Sequence, residues 1–97
     1  MIGTKTKDPD AIKPVFLDWS EYVEQSQPQV AEDDAIVGSS WDIPVGLTQE
    51  GAGFEDKKTL VFLSGGTEHD KYEVRNHVTL RSGISDTRSF LLVIEKQ

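Results

Sequence analysis

Leu63-Ser64-Gly65-Gly66-Thr67 leads through four polar residues into Tyr72-Glu73-Val74-Arg75-Asn76-His77-Val78. An apolar strand stops at Leu63, two glycines make a corner, and a tyrosine opens a segment that alternates strictly. In Greek-key sandwiches a tyrosine at that place turns its ring toward the core while its hydroxyl bonds back to the backbone of the corner. The stretch therefore predicts an all-β, immunoglobulin-like or fibronectin-III-like sandwich. Such sandwiches are chiefly scaffolds for contact surfaces, which lowers the expectation of an enzyme without removing it.

Downstream, Tyr72, Val74, Asn76, Val78 and Leu80 share one face while Glu73, Arg75, His77, Thr79 and Arg81 share the other. Ser82-Gly83 is a turn signal, and a last strand is predicted from about Asp86 to Glu95 with Phe90, Leu92 and Ile94 on one side. Upstream, Thr59 to Leu63 reads as a strand buried on both faces, preceded by a polar turn at Glu55-Asp56-Lys57-Lys58. Leu47-Thr48 starts a short strand, and Glu50-Gly51-Ala52-Gly53 reads as a turn into Phe54. Ala35 to Ile43 is a further strand whose parity breaks: Ile36 falls opposite Val37, Trp41 and Ile43, so Gly38 marks a bulge.

In the first strand Val15, Leu17 and Trp19 point one way and Phe16 and Asp18 the other, with Pro14 confining it to an edge. Ser20 can cap one helical turn through Glu24, with Tyr22 and Val23 closing an end of the core, and Gln25 to Asp34 reads as a loop. Met1 to Ala11 has neither period and contains Pro9, so it is expected to be a flexible arm. The expected organisation is an arm over 1–11 and a Greek-key sandwich of about seven strands over 12–97.

With 97 residues the chain suits one domain with a modest core. It has no cysteine, so neither a disulfide nor a thiolate metal site contributes. No apolar run approaches the roughly 20 residues that span a bilayer, and the polar start is unlike a secretory signal. A soluble protein is expected. The net charge is −7, and it is uneven. Up to Glu50, ten acids face only Lys5, Lys7 and Lys13; from Gly51 onward seven acids and seven bases cancel. An acidic half repels phosphate, which argues against nucleic acid as a partner.

No catalytic, cofactor-binding or metal-ligating residue is assigned. The two histidines, His69 in the corner and His77 on an outward strand position, are too few for a zinc site without cysteines. No Gly-x-Ser-x-Gly elbow precedes a helix, and Gly51-Ala52-Gly53 and Gly65-Gly66 lack the lysine and helix of a phosphate cradle. Glu32-Asp33-Asp34 and Glu55-Asp56 would reach calcium only by meeting at one end of the sandwich, and they lack the regular pattern of a calcium loop. Trp19 and Trp41 fall on apolar parity and are assigned to the core; exposed, either could instead stack on a sugar or anchor a protein. Asn76 is the polar residue out of pattern on the inward face and is expected to bond to backbone at a strand irregularity.

The ordered set Lys7-Asp8-Pro9-Asp10, Asp18-Trp19-Ser20, Ser40-Trp41, Gly46-Leu47-Thr48, Leu63-Ser64-Gly65-Gly66-Thr67, Tyr72-Glu73-Val74 and Arg88-Ser89 resembles a family of small tailed-bacteriophage virion proteins. These are fibre–tail adaptors or minor structural proteins with an immunoglobulin-like fold, and the resemblance runs from about Lys7 to Ile94. The Gln25 to Ala31 insert is longer than the family's loop, and Glu68-His69-Asp70-Lys71 is more charged. The family has no established catalytic residues. What the resemblance implies is a virion protein, made in the bacterial host cytoplasm and encoded by a phage or prophage. Its partners would be other tail or fibre proteins and copies of itself, with neither nucleic acid nor membrane among them. The alternatives are a carbohydrate- or receptor-binding module, which needs an exposed platform from Trp19, Trp41 or Tyr22, and a small hydrolase, which needs a cleft with convergent polar groups.

Overall fold

Alternating apolar residues in short runs, punctuated by glycine and proline, leave the chain one way to hide its side chains: two sheets face to face. The computed structural model describes residues 3–21 and 35–96. Within them lie seven strands: β1 (Thr4–Lys7), β2 (Lys13–Asp18), β3 (Ile36–Asp42), β4 (Leu47–Phe54), β5 (Lys58–Gly65), β6 (Lys71–Leu80) and β7 (Ser85–Ile94). One sheet has the order β1-β7-β6-β3 and the other β2-β5-β4. The chain crosses between sheets after β1, β2, β3 and β5, while β4–β5 and β6–β7 are hairpins. This is the Greek-key sandwich that the sequence predicts.

The core lies between the sheets. Val15 and Leu17 of β2, with Trp19 just beyond it, meet Val61 and Leu63 of β5, Val74, Val78 and Leu80 of β6, and Phe90, Leu92 and Ile94 of β7. All of them are buried, as their parity requires. Tyr72 packs at the rim of this core, and its hydroxyl accepts the N–H of Thr67 at 3.0 Å, so the tyrosine tethers the corner as expected. The corner is tight. Gly66 donates its N–H to the carbonyl of Gly46 at 2.9 Å. Gly46 has φ 108°, and a Cβ there would lie 2.8 Å from the Tyr72 ring, so only glycine fits beneath it.

The parity break in β3 is a bulge: register shifts between Ile36 and Gly38, where the sequence placed it. Asn76 does more than mend an irregularity. Its Oδ1 accepts from Trp19 Nε1 at 3.0 Å and from the Thr59 hydroxyl at 2.6 Å, and its Nδ2 donates to Ser39 Oγ and the Ser40 carbonyl at 3.0 and 2.9 Å. One amide thus joins both sheets, with its four ordinary hydrogen-bonding positions filled.

Three expectations are corrected. Thr4–Lys7 is not a free arm but β1, paired parallel to Leu91–Ile94 of β7. A strand of four residues is too short to show a period, and its buried member is a lysine. Lys7 is 1% exposed because its ammonium donates to the carbonyls of Asp8 and Gly65, both at 2.7 Å. Burial pulls its pKa below the ordinary lysine value, and Asp8 and Asp10 partly restore it. Second, Gly51-Ala52-Gly53 is strand, not turn. Register shifts between Gln49 and Gly51, so Glu50 bulges outward and β4 runs on to Phe54. Third, β5 is buried on one face only, since Phe62 is 38% exposed and Leu60 half-buried. The helical turn expected from Ser20 begins at Ser20 and Glu21; its remainder through Glu24, the loop over Gln25 to Asp34 and the position of Tyr22 fall outside the described residues.

Candidate partner-binding surface

The outward face of β2-β5-β4 is where side chains depart most from what water favours. Strand register puts Phe16, Leu60 and Gly53 in one row and Pro14, Phe62 and Gly51 in the next. Phe16 is 59% exposed. Pro14 sits on β2 without loss because β2 is an edge strand, as expected from its lack of an N–H. The glycines add no side chain, so the backbone of β4 lies bare beside the aromatic rings. Phe16, Gly53, Phe54, Lys58 and Leu60 border a shallow hollow of about 360 Å³. A contiguous apolar face of this kind, rimmed by charge at Asp18, Lys58 and Glu50, is characteristic of a protein contact.

The outward face of the other sheet is polar and laterally braced. His77 Nε2 lies 2.8 Å from Asp42 Oδ2, and Nδ1 lies 2.6 Å from Thr87 Oγ1. A carboxylate only accepts, so in the neutral ring Nε2–H donates to Asp42 while Nδ1 accepts the threonine hydroxyl. The line ties β3, β6 and β7 side by side. It was invisible in the sequence because its members stand 35 and 10 positions apart and only the strand register unites them. His69, the other histidine, is in the corner with φ 75° and its side chain 83% exposed, 3.9 Å from Glu68.

Two more groups bear on the surface. Asp18, at the end of β2, is held below the usual carboxylate range first by the Ser20 hydroxyl and backbone N–H, the latter at 2.9 Å, with Lys58 and Arg88 assisting. Arg88 lies over the Trp19 ring at 4.3 Å, a cation–π contact that closes the core beneath it. Trp19 is fully buried and presents no face to a sugar; Trp41 is half-buried and meets Phe90 edge-on at 6.4 Å. Glu55 and Asp56 lie in the β4–β5 hairpin, where the Glu55 N–H bonds to the Lys58 carbonyl and the Asp56 backbone carbonyl accepts from Ile36 N–H. Glu32 to Asp34 lie outside the described residues, and among the described residues no three carboxylate, histidine or cysteine side chains are placed to share a metal ion.

Two packed sheets in Greek-key order, antiparallel except where β1 joins β7, and closed by a tethering tyrosine, define an immunoglobulin-like domain. A solved structure of that class superposes on it: the solution structure of the PKD domain from KIAA 1837 protein matches with a TM-score of 0.52 at 15% identity, over 98% of this chain and 80% of that one. The family model of podophage GP4 fiber-tail adaptor protein gp77 matches residues 7–93, and the chain belongs to that family. No curated protein matches the sequence. Membership makes the chain a structural protein of the phage particle, an adaptor in contact with other tail or fibre proteins.

Proposed function

We propose that the chain joins fibre to tail by seating the outward face of β2-β5-β4 on a folded partner. The observation that carries this is the pair of rows centred on Leu60 and Phe62, an apolar sheet face with Phe16 59% exposed at its margin. Covering it returns a few kcal/mol at about 25 cal/mol per Å² of apolar area. The role is contact rather than catalysis: the hollow around Phe16 is lined by apolar groups and backbone, with Glu55 and Lys58 at its rim. Nucleic acid is not a partner, because the net charge of −7 opposes phosphate. Among the described residues no helix is long and apolar enough to cross a bilayer. The protein is made in the host cytoplasm and acts in the particle, where copies adjoin one another.

The test is binding to the purified tail and fibre proteins of the same phage. Phe16→Asp is expected to weaken binding about tenfold or more while shifting the melting temperature little, since the Phe16 ring is 59% exposed, and Phe62→Thr, whose ring is 38% exposed, is expected to weaken binding with a modest loss of stability. Unchanged affinity in both variants would remove this face from the reading.

A further inference from the structure

The sheet opposite the Phe16 face carries a hollow in which carbon and charge are mixed. Trp41, Asp42, Ile43, Pro44, Glu73 and Arg75 border about 390 Å³ at the Asp42 end of β3, the end remote from Ala35. That is within the range of small-molecule sites, about 300–1,000 Å³. Register sets Asp42 opposite Arg75, and Glu73 shares the Arg75 face of β6, so one guanidinium stands between two carboxylates. Trp41, Ile43 and Pro44 add the apolar wall where the chain leaves β3.

The polar groups are held, and each keeps capacity to spare. Asp42 Oδ2 accepts from His77 Nε2 at 2.8 Å, and Glu73 Oε1 accepts from Arg75 Nη2 at 3.0 Å. Among the described residues Asp42 Oδ1 and Glu73 Oε2 have no partner, and the guanidinium has given one of its five N–H groups to a neighbouring side chain. Two fixed acceptors therefore flank a fixed donor fork. The indole beside them lies edge-on to Phe90 at 6.4 Å, while its Nε1 has no hydrogen-bond partner among the described residues, a deficit that native proteins rarely leave.

Charge and pattern select the ligand. The two carboxylates and one guanidinium sum to −1 on a chain of −7, which repels an anion. Arg75 at the centre repels a cation, and no three ligating side chains among the described residues are placed to hold a metal ion. A neutral ligand must donate to the carboxylates, accept from the guanidinium and offer carbon to the wall. A vicinal diol does this with adjacent groups, each both donor and acceptor; a peptide group separates the two functions. We propose that the hollow is a subsite for a neutral saccharide unit. Its hydroxyls bridge Asp42 Oδ1, Arg75 and Glu73 Oε2, and the C–H face of the ring lies against Trp41, Ile43 and Pro44. The site stands apart from the adaptor reading and uses none of the residues of the Phe16 face.

The test is a titration of the full chain, followed by the two tryptophan indole N–H signals in NMR and assigned with Trp41→Phe. The probes are methyl glycosides of neutral hexoses, deoxyhexoses and N-acetylhexosamines, a methyl uronate as the anionic counterpart, and a blocked alanine tripeptide. At least one neutral glycoside is expected to shift the Trp41 signal and leave that of Trp19 in place, with a Kd on the order of millimolar, as suits a ligand of that size. Arg75→Ala and Glu73→Ala are each expected to weaken it about fivefold or more. Both should leave the melting temperature nearly unchanged, since the side chains are 54% and 41% exposed and a surface ion pair adds little. Phe16→Asp is expected to leave glycoside affinity as it is. No shift from any neutral glycoside at about 100 mM, affinity that survives both substitutions, or tighter binding of the uronate or the tripeptide would each overturn the proposal. None of these outcomes bears on the adaptor face, which Phe16→Asp tests separately.

Discussion

Asn76 carries more structure than any other polar side chain described here, because it is buried and its partners come from both sheets. Asn76→Ala leaves the Trp19 indole, the Thr59 hydroxyl and the Ser40 carbonyl without their partner. A cost of about 2–4 kcal/mol is expected in urea unfolding, since each stranded buried group costs about 1–3 kcal/mol and they relax in part. Tyr72→Phe removes a single bond to Thr67 N–H and keeps the ring, so about 1 kcal/mol is expected from the same measurement. Asp18 sets a pH dependence. Its carboxyl titrates below its usual range when folded, so its stabilisation is present above the unfolded pKa and is lost as pH falls through the folded one. Asp18→Asn should therefore flatten the fall in melting temperature between about pH 5 and pH 1; an unaltered acid profile would show that the Ser20 bonds do not matter. The sequence marked Asn76 as out of place but not its partners, which lie 17 to 57 positions away.

Among the elements, β1 and β4 misled most, while β5 differed only in having one wet face. Thr4–Lys7 is threonine and lysine only, and no local pattern reveals that its lysine is solvated by the carbonyls of Asp8 and Gly65. Removing residues 1–7 exposes the edge of β7 and uncaps those carbonyls. A fall in melting temperature of roughly 5–10 °C is expected by calorimetry, corresponding to about 1–2 kcal/mol in a domain of this size. No change would mean that β1 contributes nothing to the domain. In β4 the glycines suggested a turn because turns and bulges use the same residue. The difference is made by β5, which pairs with Gly51 to Phe54 and keeps them extended. By contrast β6 was legible because one of its faces is buried and the other is largely wet, so alternation had a reason to be strict, while β2 and β7 keep the buried parity although Phe16, Leu91 and Val93 are apolar on the other face.

At the scale of the molecule, a charge of −7 and an open, uncharged apolar face act in different ways. The charge steers approach and keeps free copies apart; the face holds what arrives. The association rate with a basic tail or fibre partner is therefore expected to fall severalfold between about 50 mM and 500 mM salt in stopped-flow or surface measurements, while the dissociation rate moves little. A rate independent of salt would show that the acidic half takes no part in docking.

The sandwich class, the tethered corner and the inward residues of β2, β6 and β7 were determined by the sequence, because burial on one side imposes a period that neighbouring residues record. The Asp42–His77–Thr87 line, the four bonds of Asn76 and the lysine inside β1 were decided by tertiary structure alone. Each depends on which strands lie side by side, and pairing across sheets brings together residues that no local pattern connects.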